Sequence, residues 1–257
     1  MDKPRTALIT GASAGIGKAF ADALAAGGVN LVLVARRADR LQQAAQALRE
    51  AHGIDVATIS ADLSDPTAPV RIHEETESRG LVIDYLINNA GVAGPDLLEP
   101  DTWQANAGFH QLMMIAPAHL CHLYVPAMRA RRWGRIVNVA SVAARIPRAG
   151  GCNYGPAKAF LVALSEELSL TLKAEGIKVC ALCPGFTHTE FHNEGSAAEL
   201  KANTPAFVWY EAETVVKEGL RALERGRSVY VSGRMYRWMD PFFQSVWTRR
   251  LFKIAAS

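Results

Sequence analysis

Apolar runs alternate along the chain with stretches of helical periodicity. Thr6-Ala-Leu-Ile-Thr10 is short, apolar and partly β-branched, and Ile16, Phe20 and Leu24 then recur every fourth residue, as one face of a helix does. Asn30-Leu-Val-Leu-Val-Ala35 predicts a second strand, Leu41 to Leu48 an amphipathic helix, and Val56-Ala-Thr-Ile-Ser60 a third strand. Val70 to Ser78 is polar and helical, and Tyr85-Leu-Ile-Asn88 reads as a fourth strand. A long helix is expected from about Thr102 to Arg131, followed by a fifth strand from Gly134 to Ala140. Leu161, Leu164, Leu168 and Leu172 mark another long helix, Val179 to Cys183 a sixth strand, and Ser228 to Val231 a seventh. The central strands are apolar throughout rather than alternating, so both faces are expected to be covered. Strand–helix alternation then calls for an α/β fold: one doubly wound domain, with a parallel sheet of about seven strands and helices on both faces. Ligands of such sheets bind beyond the C-terminal ends of the strands.

Composition bounds this picture without changing it. With 257 residues, 49% hydrophobic and 21% charged, the chain has enough apolar side chain for one large core. The start, Met1-Asp2-Lys3-Pro4-Arg5, lacks the pattern of a secretory signal, and no run approaches 18 apolar residues. Cys180 and Cys183 form a C-x-x-C, but three residues apart on a strand they point to opposite faces, so two buried thiols are expected rather than a metal or redox pair. A cytoplasmic location follows as the expectation. Charge is uneven: residues 225–257 hold seven Lys/Arg and one Asp, a net of +6 in a chain whose total is +3. The same tail carries seven of the twenty aromatic residues.

Two constellations carry chemistry. At the end of the first strand stands Thr10-Gly-Ala-Ser-Ala-Gly-Ile-Gly17. Glycines at 11, 15 and 17 allow a tight turn, a close approach to pyrophosphate and close helix packing, with the N-terminus of the next helix facing the anion. The spacing is G-x-x-x-G-x-G, and its position between strand and helix favours a dinucleotide site over a structural turn. The second strand ends Val34-Ala35-Arg36-Arg37, with no acid to take a ribose 2′-hydroxyl. Two guanidiniums there suit a 2′-phosphate, with Ser13 able to add a hydroxyl, so NADP(H) is expected. A solvated basic helix start is the alternative. Farther on, Tyr154-Gly-Pro-Ala-Lys158 places a phenol and an ammonium on one helix face. The lysine is expected to lower the tyrosine pKa toward a useful acid–base range. Ser141 ends the fifth strand, where it either hydrogen-bonds a substrate oxygen or caps a turn.

Together with Asp62-Leu63, Asn88-Asn-Ala-Gly91 and Pro184-Gly185, these motifs resemble the classical short-chain dehydrogenase/reductase family, in the family's order and over nearly the whole chain. The resemblance implies a Rossmann-type catalytic domain over 1–232 and a basic aromatic extension over 233–257. It implies an NADP-dependent oxidoreductase that interconverts an alcohol and a ketone or aldehyde, with Ser141, Tyr154 and Lys158 catalytic. Gly11, Ser13, Gly15, Ile16, Gly17, Arg36 and Arg37 would hold the cofactor's phosphates and ribose, and Asp62 and Leu63 would flank the adenine. Asn89, Ala90 and Gly91 would line it by the fourth strand, and Lys158 would also hold the nicotinamide ribose. Pro184, Gly185, Phe186, Thr187 and Thr189 would meet the nicotinamide end. A lid over about 186–210 would cover the substrate. The partners implied are a small carbonyl or alcohol, and a second copy in a homodimer or homotetramer.

One position departs from the family, which carries an asparagine in the long helix, holding a water that links the catalytic lysine to solvent, where an ungapped alignment places Met113. A thioether is a weak acceptor and no donor. Either a local irregularity brings in another polar group, with His110 or Gln111 as candidates and Asn106 too far upstream, or the proton relay is altered. The second reading of the chain is therefore a dinucleotide-binding sensor or scaffold with little turnover. His188 and His192 have metal-compatible spacing, yet no third ligand is evident and no metal is expected. Phe186, Phe191, Phe207, Trp209 and Tyr210 predict an apolar pocket for a bulky or acyl substrate. The tail is expected to pack on protein, at a dimer interface or over the active site, or else to touch a membrane surface peripherally. Nucleic acid has no other support.

Overall fold

The computed structural model describes residues 4–147, 152–189, 205 and 208–248. Seven strands form one sheet: β1 (Thr6–Thr10), β2 (Asn30–Ala35), β3 (Val56–Ser60), β4 (Tyr85–Asn88), β5 (Gly134–Val139), β6 (Ile177–Cys183) and β7 (Val229–Val231). Their order is β3-β2-β1-β4-β5-β6-β7, and every neighbouring pair is parallel. The helices are α1 (Gly15–Ala26), α2 (Ala38–His52), α3 (Ala68–Ser78), α4 (Trp103–His110), α5 (Ala116–Ala130), α6 (Tyr154–Leu172), α7 (Ala212–Glu224) and α8 (Arg234–Gln244).

The apolar strands are buried on both sides because each side has its own core. Ala7, Ile9, Leu31, Leu33, Val137 and Leu182 pack with Phe20, Leu41 and Val216 from α1, α2 and α7. Leu8, Val32, Leu86, Ile136 and Val179 point the other way, against Ile72, Leu120 and Met128 from α3 and α5. The period of two within continuously apolar strands is what sorts them. Cys180 joins the first core and Cys183 a third one under α8, so the two thiols do diverge. Burial pushes both up to about 12, which keeps them as neutral, apolar groups.

Three elements differ from the sequence expectation. The helix expected from Thr102 to Arg131 is not continuous α: one π turn, Gln111–Ile115, separates α4 from α5. Pro117 explains it, since it has no N–H to give the Met113 carbonyl and its ring would crowd that carbonyl in a regular helix. The widened turn is closed by the Ala116 N–H on the Gln111 carbonyl. The other two are helices that the sequence pattern had left unread. α7 buries Val215, Val216, Gly219, Ala222 and Leu223 along one stripe. A Cβ on Gly219 would stand 2.7 Å from Leu182 Cδ2, so the missing side chain sets the approach of α7 to β6. α8 follows β7 and buries Tyr236 and Phe243. No helix of the described residues is long and apolar enough to cross a membrane.

Candidate active site

The order of strands reverses between β1 and β4, and the crevice outside the C-terminal ends at such a reversal is where open α/β sheets bind ligands. Thr10 ties the two ends together. Its hydroxyl accepts the N–H groups of Asn89 and Ala90, both at 3.0 Å, and donates to the Ile87 carbonyl. Asn89 Nδ2 returns two bonds to the carbonyls of Thr10 and Gly11. The loop between β1 and α1 turns on Gly11 and Gly15, both at positive φ. A Cβ on Gly17 would stand 2.2 Å from the Gly11 carbonyl oxygen, so the turn closes only without one. Ala14 sits at the N-cap of α1 and offers no side-chain acceptor to the first-turn N–H groups. Those donors and the helix dipole face the crevice side of the loop, which fits a pyrophosphate. Ile16 packs at the edge of the core beneath them.

At the end of β2, Arg36 and Arg37 are exposed, and Arg37 Nη2 reaches Ser13 Oγ at 3.4 Å. The loop hydroxyl and the guanidinium thus converge where a ribose substituent of a bound dinucleotide would lie. Asp62 is exposed at the next strand end and accepts from the N–H and hydroxyl of Ser64, while Leu63 is buried in the second core.

The other end of the crevice holds the titrating groups. Ser141 follows β5, and its Oγ accepts the Ala143 N–H at 3.1 Å, capping a short 3-10 turn. It also hydrogen-bonds Tyr154, the first residue of α6. The capping alternative for Ser141 holds, and its hydroxyl is at the same time in reach of the Tyr154 phenol. Lys158 lies one turn along α6, is 4% exposed, and donates from Nζ to the Val139 carbonyl at 2.7 Å. The ammonium stands 5.7 Å from the centroid of the Tyr154 ring. The expected lowering of the tyrosine does not appear in the protein alone. Burial pushes the phenol up to about 12, against the Ser141 hydrogen bond, and burial brings Lys158 down to about 8. Desolvation outweighs the hydrogen bond here.

Met113 is buried beside this pair: a Cβ on Gly91 would meet Met113 Sδ at 3.2 Å and Lys158 Nζ at 3.6 Å. The irregularity considered from the sequence is present as the π turn, but His110 turns elsewhere. Its Nε2 donates to Asn153 Oδ1 at 3.0 Å. Asn153 Nδ2 donates to the Pro95 carbonyl at 3.0 Å and to Asn106 Oδ1. Asn106 Nδ2 in turn reaches Thr102 Oγ1 at 2.8 Å. This buried chain of amides, which the sequence reading missed, fixes the residue next to Tyr154. Gln111 is also buried, and its Nε2 has no partner among the described protein atoms.

Beyond β6, Pro184 is buried and a Cβ on Gly185 would collide with the Tyr236 ring of α8. Phe186 and His188 both stack on Trp209, at 5.1 and 5.2 Å between centroids. Thr187 pairs with Tyr210 in an isolated bridge, and a Cβ on Gly15 would meet Thr189 at 3.0 Å, so this segment borders the glycine loop. Glu190, Phe191, His192 and Phe207, and most of the segment read as a lid, lie outside the described residues. Among the described residues no cluster of three metal-binding side chains occurs. α8 also grips the turn after Ser141: Arg145 makes two 2.7 Å bonds to Asp240, and Gln244 Nε2 donates to the Arg145 carbonyl. The described part of the tail thus packs over the active-site end of its own domain.

The same fold occurs in known proteins. The family model for short chain dehydrogenases matches residues 5–200. The 3-oxoacyl-[acyl-carrier-protein] reductase of Escherichia coli is 28% identical over 244 residues, 90% of this chain and 97% of that one. A short-chain dehydrogenase from Sphingobium yanoikuyae, solved in complex with NADPH, superposes with a TM-score of 0.81 at 33% identity, covering 91% of each chain. The bulky-bulky ketone specific alcohol dehydrogenase from Comamonas testosteroni gives 0.77 at 30% identity, covering 93% of this chain and 90% of that one. With its dinucleotide cradle and its Ser141–Tyr154–Lys158 cluster, this chain belongs to the short-chain dehydrogenase family and is an oxidoreductase on that fold.

Proposed function

We propose that the protein is an NADP(H)-dependent reductase of ketones or aldehydes with a bulky apolar or acyl group. The observation that carries this reading is the meeting of Ser141, Tyr154 and Lys158 beside Gly91, at the far end of a crevice whose near end carries Arg36 and Arg37. The bound nicotinamide would supply a hydride to the carbonyl carbon. A phenol kept protonated by burial is suited to give the proton that the substrate oxygen then needs. The Ser141 hydroxyl donates to that oxygen as charge develops, and the Lys158 cation holds the ribose and biases Tyr154. The glycine loop, Asn89 to Gly91 and Pro184 to Thr189 would line the cofactor. NADPH complexes among the structural relatives support the cofactor choice. The aromatic stack of Phe186, His188 and Trp209 supports a bulky substrate.

A lid over 186–210 and a homodimer or homotetramer complete the reading, the latter supported by Ile115 and Leu170, both exposed on helices. Four free thiols support a reducing, cytoplasmic setting. The test is NADPH oxidation over a panel of bulky ketones, aldehydes and 3-oxoacyl thioesters. Arg36→Glu with Arg37→Glu should weaken NADPH binding about a hundredfold, as two charge-assisted phosphate contacts are lost, and leave NADH nearly unaffected. Turnover with NADH alone would overturn the cofactor assignment. The second reading, a sensor without turnover, is favoured by Met113 beside Lys158, and NADPH binding without oxidation on any substrate would support it.

A further inference from the structure

A helix that packs on its own domain is expected to be polar on the outside. α8 is not. Tyr236, Asp240 and Phe243 face the protein, while Trp238 is 74% and Phe242 44% exposed, with ring centroids 5.7 Å apart. Arg234 shares that outer face, and just past the helix Val246 and Trp247 are 88% and 83% exposed. Large aromatic side chains flanked by arginine are the composition of an interfacial surface.

The same helix forms one wall of a cleft of about 550 Å³ with arginines around it: Arg145, Arg221, Arg225, Arg227 and Arg237. Its two carboxylates are already engaged. Asp240 is held by Arg145, and Glu218 by Ser232, the Gly233 N–H and Arg237. Arg221, Arg225 and Arg227 are exposed, with no carboxylate partner among the described residues. The chain beyond the described residues continues the composition, with Arg249, Arg250 and Lys253 beside Leu251, Phe252 and Ile254. A second copy fits this surface poorly, because a two-fold contact would set the basic tails against each other.

We propose that α8 and the arginine cleft form a docking surface for an anionic lipid bilayer, with Trp238, Phe242 and Trp247 at the headgroup level and the arginines on the phosphates. The site behind α8 would then open near a membrane. The test is co-sedimentation of the full chain with phosphatidylcholine vesicles, with and without phosphatidylglycerol, at low and high salt. Binding should require phosphatidylglycerol and fall as salt rises. Arg225→Gln with Arg227→Gln should weaken it about 25-fold, at about fivefold per charge. Trp238→Ser with Trp247→Ser should weaken it on the order of tenfold and leave NADPH oxidation unchanged, which keeps this test separate from that of the enzymatic reading. Absence of binding to phosphatidylglycerol vesicles at low salt would overturn the proposal. So would a tryptophan variant that changes the oligomeric mass while vesicle binding stays intact, since that assigns the surface to a second copy.

Discussion

The two ends of the crevice are built from different materials. The nucleotide end is mostly backbone: a loop that turns on Gly11 and Gly15, an uncapped helix start, and the Thr10 hydroxyl tying β1 to β4. The catalytic end is mostly side chain. Tyr154 and Lys158 are buried groups whose protons are governed by desolvation, and their positions depend on Asn153, Asn106 and Arg145, which come from distant parts of the chain. Backbone cradles tolerate sequence change wherever the glycines are kept. A side-chain cluster is only as firm as its supporting partners.

That contrast can be broken or sharpened by mutation. The largest effect is expected for Tyr154→Phe, which removes the proton donor from the catalytic end alone. Turnover should fall about a thousandfold, while NADPH binding, followed by fluorescence titration, stays within about twofold of the parent. A comparable loss of binding would show that the two ends are not separable. The pH profile comes next. The Lys158 pKa is depressed to about 8, so its charged form is lost in the folded protein as pH rises through that value. Carbonyl reduction should then decline above pH 8 by about tenfold per unit, and Lys158→Met should abolish that break along with most of the activity.

Asn153→Ala tests the support rather than the chemistry. It strands His110 and Asn106, each at a cost of about 1–3 kcal/mol, and should lower kcat roughly tenfold without changing the KM for NADPH. The expected readout of positioning is partial rescue by Asn153→Asp, which keeps an acceptor for His110. The smallest effect is expected at Met113. If the relay is impaired there, Met113→Asn raises turnover, by no more than about threefold, because the carbonyl freed by Pro117 is present with either side chain. Unchanged or lower turnover in a steady-state assay would discard the impaired relay.

The legibility of the sequence follows the same division. Strands read true because a sheet buried on both faces leaves an unbroken apolar run, as in Asn30–Ala35. The tight turn of the glycine loop was legible because φ > 0 and close approach leave few residue choices. The Tyr154–Lys158 pair was legible as spacing, but the direction of the tyrosine shift was not, since burial is a tertiary property. Asn153 carries no local signal, because its partners lie 43, 47 and 58 residues away. α7 was legible in principle, from Val215, Val216, Gly219, Ala222 and Leu223 at helical spacing. α8 was obscured by Pro241 and by aromatic residues on both its sides. The π turn did have a signal, Pro117 in a helical stretch, which marks a distortion but not its form.

That turn has a consequence for chain length. A π turn is an α-helix with one residue added, so everything before Gln111 is rotated by about 100° relative to where a regular helix would place it. Deleting one residue between Gln111 and Ile115 would remove the added residue without altering any residue of the amide chain, although Pro117 would still leave one carbonyl of the preceding turn unpaired. It would nonetheless swing Asn106 and His110 away from Asn153. Spacing at this point is a functional quantity in its own right: for the start of α6, the number of residues in the turn matters more than their identity.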